Sequence, residues 1–250
     1  MISYRTLLIK ILSLAGVKFK FRNVYGAYMV FYKGFGAEYF MQKGEKGTLS
    51  FIRDNLGEGQ VFVDVGAYVG FFSIFASKIV GKNGKVLAFE PNPQAHKILL
   101  ENIKINRCDN ISAFNIALGS REGFAFLDIP KGKSKSEATV LNVEKGVKVA
   151  VKPLDNILKG IDIKRVDMVK IDVEGWENEV LKGMKETLMK YRPILIVEKG
   201  PLFLLGYDYL MNLGYRPFRF KVNKNFPSQI VEVKDYDEVP LYDNIIFLPR

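Results

Sequence analysis

A five-residue apolar run followed by two closely spaced glycines constrains this chain more than any other feature. Val61 to Val65 is typical of a buried strand, and a helical period from about Phe71 to Val80 follows it almost at once. Gly66 and Gly70 bound the turn between the two segments. A strand, a tight turn and a helix in this order are the repeating unit of parallel sheets, so the sequence predicts an α/β domain.

Short apolar runs continue to alternate with helical periods further along the chain. The remaining predicted strands are Lys85–Glu90, Ile111–Ile116, Val166–Asp172 and Pro193–Glu198, with a closing antiparallel pair at Tyr215–Phe220 and Asn244–Leu248. Asn92 and Pro93 are typical of a helix start. A single later helix is predicted to bury one face that consists of Trp176, Val180, Met184 and Leu188. We expect a Rossmann-like fold, in which a mostly parallel seven-stranded sheet carries helices on both faces.

Residues 120–152 interrupt the parallel pattern. The segments Gly123–Ile129, Ala138–Val143 and Val147–Val151 alternate like antiparallel strands and indicate an inserted β-hairpin region, with a basic tip at Lys131–Ser136. We expect residues 1–60 to form an N-terminal extension, made of an amphipathic helix and a short β or loop segment. Residues 61–250 then form the main domain.

The composition excludes several kinds of site. Cys108 is the only cysteine and His96 the only histidine, so multi-cysteine metal sites and paired-histidine zinc motifs are excluded. His96 is expected at the surface. The lack of cysteine pairs suits a reducing, cytoplasmic setting. The net charge of +10 favours either an anionic partner or simply a lysine-rich solvated surface.

The glycine turn and the carboxylate that follows it point to a nucleoside-containing cofactor. Glu90 ends the second strand, where a carboxylate can accept hydrogen bonds from both ribose hydroxyls. The turn has Tyr68 but lacks the central glycine that a dinucleotide pyrophosphate requires. S-adenosyl-L-methionine has no phosphate, and its ammonium group can meet Asp64. The predicted cofactor-binding residues are Asp64, Gly66, Ala67, Tyr68, Gly70, Glu90, Asn115, Ala117 and Asp172. The alternative is a tight turn without a ligand.

A second group of acidic residues follows the strand that ends at Asp172. Ligands of open α/β sheets bind off the carboxyl ends of the strands, so Asp172 is predicted to face the methyl group and Glu174 the substrate. A displacement at carbon requires alignment, and a hydroxyl nucleophile also gains from a carboxylate that accepts its proton. Asp172 and Glu174 are therefore the predicted catalytic residues, with helix capping as the alternative for Glu174. Asp172 and Glu198 alone are weak grounds for a metal, so no metal ligand is assigned.

Together these motifs resemble those of FkbM-type methyltransferases, over about residues 60–200. The segments that carry the resemblance are Asp64–Gly70 with Ser73, Ala88–Pro93, Leu99 with Asn102 and Asn106, Pro153–Asp155, and Lys170–Gly175 with Glu177, Val180, Leu181 and Gly183. The resemblance implies a class I methyltransferase fold and, commonly, O-methylation of sugars or other secondary-metabolite hydroxyls. One departure is Tyr68, where the family usually has Asn.

The expected partner is a small-molecule or saccharide acceptor, and the positive net charge is compatible with an anionic one. The alternative enzyme is a tRNA base methyltransferase, which Gly70–Ser77, Glu101–Asn106 and the charge of +10 favour. Such enzymes generally carry an Asn-Pro-Pro-aromatic motif where this chain has Asp172–Gly175, and nucleic acid is therefore the less favoured partner. The third hypothesis is a protein without catalytic activity that binds the cofactor or lies at a membrane surface. It rests on the basic amphipathic N-terminal helix, which can contact a lipid surface or a second subunit.

Overall fold

The computed structural model describes residues 19–22, 26–31, 46–129, 139–141, 146–221 and 229–250. The predicted N-terminal helix and the basic tip at residues 131–136 lie outside the described residues. The strands are β1 (Phe19–Arg22), β2 (Tyr28–Phe31), β3 (Val61–Val65), β4 (Lys85–Phe89), β5 (Ile111–Phe114), β6 (Ala117–Leu118), β7 (Gly123–Asp128), β8 (Thr139–Leu141), β9 (Val147–Lys152), β10 (Met168–Ile171), β11 (Ile194–Glu198), β12 (Tyr215–Phe220), β13 (Ile230–Glu232) and β14 (Asn244–Pro249). The helices are α1 (Lys46–Asn55), α2 (Phe71–Val80), α3 (Pro93–Asn106), α4 (Leu154–Lys159), α5 (Glu177–Lys182), α6 (Lys185–Tyr191) and α7 (Leu204–Asn212), with a 3₁₀ turn at Tyr236–Glu238.

The main sheet confirms the predicted α/β fold. Its strand order is β13-β12-β14-β11-β10-β3-β4-β5, with β11, β10, β3, β4 and β5 mutually parallel. The predicted antiparallel pair of β12 and β14 is present. The prediction of seven strands was wrong, because β13 pairs with β12 and adds an eighth. The chain moves outward in opposite directions from β3 and β10, and ligands of open sheets bind at such a switch point.

Both faces of the main sheet are covered by helices. Side chains alternate along a strand, so neighbouring residues of β3 enter different cores. Phe62 packs with α1, α2 and α3, whereas Val63 packs with α5, α6 and α7. Helices on both faces were predicted. None of the helices in the described part of the chain is long and apolar enough to cross a membrane.

The insertion forms its own four-stranded sheet, ordered β6-β9-β7-β8. Its β7–β9 and β7–β8 pairs are antiparallel, as predicted. The predicted third strand, however, ends at Phe114 and not at Ile116. Ala117 and Leu118 leave the main sheet and pair in parallel with β9, because Ala117 is buried among the apolar residues of the small sheet.

The helix predicted after Asp172 is divided into α5 and α6. A Cβ at Gly183 would collide with the carbonyl oxygen of Gly119, so the chain turns where only glycine fits. The carboxylate of Asp155 then caps α6, accepting from the N–H groups of Glu186 at 2.8 Å and Thr187 at 2.9 Å. The helix restarts at this cap.

Two asparagines of α3 hold strand β2 on the main domain. The Asn102 side chain accepts from Val30 N at 2.7 Å and donates to Val69 O at 2.8 Å. Asn106 accepts from Tyr28 N at 2.8 Å and donates to Tyr28 O. These two residues therefore have structural roles.

Candidate active site

The glycine turn lies where the ends of β3, β4 and β10 meet. The N–H groups of Gly66 and Ala67 donate to Phe89 O at 3.0 and 2.9 Å, and Asp172 N donates to Val65 O at 3.0 Å. Gly66 has a φ of +81°, and a Cβ there would collide with the carbonyl oxygen of Asp172. Only glycine fits this position. The turn and the Asp172 strand end are therefore in direct contact.

Glu90 is buried beside this turn, with 6% of its surface exposed. One carboxylate oxygen accepts from Tyr68 N at 2.7 Å and the other from Asn92 N at 2.7 Å. Burial raises the pKa of Glu90 to about 7, although the two backbone donors oppose the rise. Each oxygen keeps further acceptor capacity for a ligand hydroxyl.

Tyr68 contributes to this arrangement through its backbone. Its φ is +51°, a left-handed conformation that the Asn usual in the family adopts more readily. The ring is 5% exposed and packs in the core on the α2 and α3 side of the sheet. The presence of Tyr68 where the family usually has Asn therefore changes the packing of the core. The backbone N–H group of Tyr68 still donates to Glu90.

Asp64 is a second buried carboxylate, 1% exposed, at the end of β3. Its Oδ2 accepts from Ser73 Oγ at 2.5 Å, while its Oδ1 is buried without a hydrogen-bond partner among the described residues. Burial raises the pKa of Asp64, and the positive charge of Lys170 opposes that rise. Buried polar atoms usually have a hydrogen-bond partner, so Asp64 Oδ1 has unused acceptor capacity.

Lys170 supplies the positive charge of the site. Its Nζ lies 2.7 Å from Asp172 Oδ2 and 4.6 Å from the centre of the Phe72 ring. The Lys170 side chain is 2% exposed and that of Asp172 is 26% exposed. Asp172 is therefore the more solvent-exposed member of this pair.

Three carboxyl groups come together beyond this pair. One oxygen each from Asp172, Glu174 and Glu198 lies within 4.8 Å of the other two. Glu174 has a φ of +53°, a left-handed backbone conformation in the turn that follows β10. Burial, followed by the charges of Asp172 and Glu174, raises the pKa of Glu198 to about 9. We call these three residues the carboxyl cluster.

Comparison with known proteins identifies the family. Residues 64–217 match the Methyltransferase FkbM domain. The chain belongs to this family. Methyltransferase sdnD of Sordaria araneosa is 28% identical, covering 53% of this chain and 63% of its own length. Hexuronic acid methyltransferase AglP of Haloferax volcanii is 25% identical, covering 62% of each. Curated tRNA methyltransferases also match.

A solved FkbM methyltransferase from Methylobacillus flagellatus KT shares the fold. Its TM-score is 0.51 at 17% identity, covering 75% of this chain and 43% of that one. The present chain spans under two thirds of the length of the curated relatives named above. FkbM-domain proteins use S-adenosylmethionine, so that is the cofactor of this family site.

The other predicted site residues occupy different surroundings. Asn115 lies beside Glu90, because its Nδ2 donates to Glu90 O at 2.8 Å and to Pro91 O at 3.0 Å. Ala117 turns its side chain into the core of the small sheet. Gly70 precedes α2 with a φ of +89°, where a Cβ would collide with Leu99.

Glu177 and His96 were not among the predicted site residues. Glu177 starts α5 and accepts from Gly175 N at 2.9 Å, which gives it a role at the start of that helix. His96 was expected at the surface, but it is half-buried and its Nε2 is enclosed without a hydrogen-bond partner among the described residues. Burial lowers the pKa of His96.

No sequence pattern predicted how close Glu198 lies to the other two carboxyl groups. The order and direction of the strands could have indicated it, because β10 and β11 are adjacent parallel strands whose carboxyl ends share one edge of the sheet. The Lys170–Asp172 ion pair was not predicted either. The two residues are two positions apart at the end of β10, and side chains at that spacing lie on the same face of a strand.

Proposed function

We propose that this chain transfers the methyl group of S-adenosylmethionine to a hydroxyl group of a small molecule or sugar. The observation that carries the proposal is the position of Asp172 and Glu174, two carboxylates at the strand ends beside the cofactor turn of an FkbM domain. Their placement supports acceptance of a proton from a hydroxyl nucleophile.

The residues of the turn fit the cofactor in three respects. Glu90 is a buried acceptor suited to two ribose hydroxyls, and Asp64 Oδ1 is a buried acceptor suited to the ammonium group. Gly66 admits the close approach of backbone that a side chain would prevent. When bound, S-adenosylmethionine supplies a methyl group on a positively charged sulfur.

In the transfer that we propose, the chain orients the acceptor and receives one proton. The acceptor hydroxyl lies against Asp172 or Glu174, and its proton passes to that carboxylate as the oxygen gains the methyl group. Lys170 holds the Asp172 carboxylate in place through their ion pair. The name of the relative AglP, a hexuronic acid methyltransferase, supports a sugar as the acceptor class.

The test has a binding stage and a transfer stage. Calorimetric titration with S-adenosylhomocysteine is expected to show one site. Transfer of labelled methyl groups to a panel of sugars and hydroxylated small molecules then identifies an acceptor. Asp172→Asn and Glu174→Gln are expected to lose about 10²-fold or more in transfer while still binding S-adenosylhomocysteine. The exposed Glu58→Gln is the control. Full turnover in both site variants would leave structural roles as the better account.

RNA is the second candidate acceptor, favoured by the matching tRNA methyltransferases and by the net charge of +10. The carboxyl cluster opposes it, because three acidic groups would face phosphates. Incubation of total tRNA with the labelled methyl donor separates the two candidates. Label in tRNA that is lost steeply with added salt would replace the small-molecule proposal.

A further inference from the structure

The geometry of the carboxyl cluster limits how many of its members can be ionised when an acceptor is bound. One oxygen from each of Asp172, Glu174 and Glu198 lies within 4.8 Å of the others. An oxygen atom placed centrally among three such atoms lies about 2.8 Å or less from each, which is a hydrogen-bond distance for an O–H···O contact. The cluster therefore fits one hydroxyl oxygen.

A neutral hydroxyl has one hydrogen and two lone pairs. It can donate to one carboxylate only, so a second contact is favourable only if that neighbour donates a hydrogen bond to the hydroxyl oxygen. The remaining lone pair is then the one left to attack carbon. A hydroxyl among three ionised carboxylates would instead face two unpaired negative oxygens.

We propose that Glu198 is the proton-bearing member of the carboxyl cluster, donating a hydrogen bond to the acceptor hydroxyl and leaving it one lone pair directed at the methyl group. This assignment rests on the proposed function for the identity of the acceptor. In the transfer, the C–S bond breaks and its electron pair stays on sulfur, a C–O bond forms, and the hydroxyl proton passes to Asp172 or Glu174. Glu198 keeps its own proton throughout.

The surroundings of each carboxyl group select Glu198 for this role. Asp172 has a counter-ion, because Lys170 Nζ lies 2.7 Å from its Oδ2. Glu198 Oε2 is enclosed without a hydrogen-bond partner among the described residues. The adjacent Lys199 does not compensate it, because its Nζ donates to two carbonyl oxygens, of Tyr236 at 2.9 Å and Val239 at 2.7 Å.

The charged groups that face Glu198 come from three elements. Asp172 and Glu174 follow β10, Glu177 starts α5, and all three are acidic, while Lys170 on β10 is the one opposing charge among these groups. On the neighbouring strand β14, Asn244 is the direct partner of Glu198 and carries no charge. Burial together with this acidic surrounding raises the pKa of Glu198 to about 9, consistent with a carboxyl group that is protonated at neutral pH.

The first test needs no acceptor. Since the pKa of Glu198 is higher in the folded protein than in the unfolded chain, its stabilising contribution is present at low pH and is lost as the pH rises through about 9. Denaturant unfolding of the full chain and of Glu198→Gln is measured between pH 6 and 9. The unfolding constant of the wild type, divided by that of the variant, is expected to rise by up to about tenfold per pH unit. Glu58→Gln should show no such trend.

The second test uses the acceptor found by the methyl-transfer panel. Glu198→Gln retains an N–H donor, whereas Glu198→Ala has none, so the glutamine variant is expected to turn over at least about tenfold faster than the alanine variant. The alkaline loss of rate near pH 9 in the wild type should be absent from the glutamine variant.

Three results would overturn the assignment. A pH-independent stability ratio would mean that Glu198 is ionised at neutral pH. Glutamine and alanine variants of equal rate would mean that no donor is needed. Transfer that requires added Mg²⁺ and stops with chelator would assign the cluster to a cation. Failure of S-adenosylhomocysteine to bind would instead refute the proposed function and leave the titration result standing.

Discussion

Replacement of Glu90 by glutamine tests the cofactor site most directly. The carboxylate is buried, and its two oxygens accept from Tyr68 N and Asn92 N, both at 2.7 Å. Glutamine keeps the size of the side chain but offers one acceptor oxygen in place of two. Its NH₂ group would face one of the two backbone N–H donors. The change thus removes the charge and one acceptor while leaving the volume nearly constant.

The expected effect on binding is a loss of about 10- to 100-fold in affinity for S-adenosylhomocysteine at pH 8, since hydrogen bonds to a charged group contribute about 1.5–3 kcal/mol. Wild-type affinity should also weaken below about pH 7, where Glu90 takes up its proton. The variant should lack this pH dependence. Calorimetric titration from pH 5.5 to 8.5 measures both effects, with Glu58→Gln as the control.

The same substitution has an opposite effect on the stability of the free protein. The pKa of Glu90 rises from an ordinary 4.5 to about 7 on folding, so its stabilising contribution is present below pH 4.5 and is lost as the pH rises through 7. A pKa difference of this size between the folded and unfolded states corresponds to about 3 kcal/mol in the free energy of unfolding. The wild type should therefore lose stability relative to the variant between pH 4.5 and 7.

The binding prediction has its own contradicting outcome. Equal affinity of the wild type and of Glu90→Gln for S-adenosylhomocysteine at pH 8 would refute the ribose role of Glu90.

The remaining predictions concern packing in and beside the site. Urea denaturation measures the free energy of unfolding in each case, and amide exchange adds a second measurement for Asn102. Gly66→Ala should lower the free energy of unfolding by at least about 3 kcal/mol, because the new Cβ would collide with Asp172 O. Gly59→Ala is the control and should lower it by about 1 kcal/mol, since Gly59 has a φ of +76° but open space around it. Equal losses in the two variants would contradict the close approach at Gly66. Lys170→Met should cost about 2–3 kcal/mol by leaving Asp172 without its counter-ion, and a neutral result would argue against the ion pair. Asn102→Ala should cost about 2–4 kcal/mol and speed amide exchange in β2, and unchanged exchange there would mean that other contacts hold the strand.

The proximity of Asp64, Glu90 and Asp172 was predictable from the sequence. Each lies at or just after the carboxyl end of a strand that the sequence pattern predicts to be parallel to its neighbours. The carboxyl ends of parallel strands share one edge of the sheet. Gly66 was predictable as a close-approach residue for the same reason. Local patterns sufficed here because strand order and direction bring these positions together.

Features that depend on packing between distant segments were not predictable. The helix break at Gly183 follows from the backbone of Gly119, 64 positions earlier, and the new cap comes from Asp155. Periodicity placed Met184 correctly on the buried face, yet it carries no information on whether the backbone hydrogen bonds continue. The burial of Tyr68 is of the same kind, since a residue in a ligand loop gives no sign that its ring enters the core.

The net charge of +10 and the local charge of the site favour different acceptors, and distance decides between them. Charges more than about 10 Å apart in solvent are largely screened at physiological salt, whereas buried or partly buried pairs are screened much less. Within the site, Asp172 and Glu174 are the two carboxylates of the cluster that oppose Lys170, since Glu198 is assigned as protonated. The lysine-rich composition can therefore raise the rate at which an anion meets the protein, but the field at the reacting oxygen comes from the cluster. An acceptor that carries its negative charge far from the reacting hydroxyl is attracted by the net charge and is not repelled by the cluster. An acceptor with a carboxylate or phosphate beside that hydroxyl is repelled at the site. Paired acceptors that differ only in this separation should be methylated at clearly different rates, and equal rates would mean that the cluster does not face the acceptor.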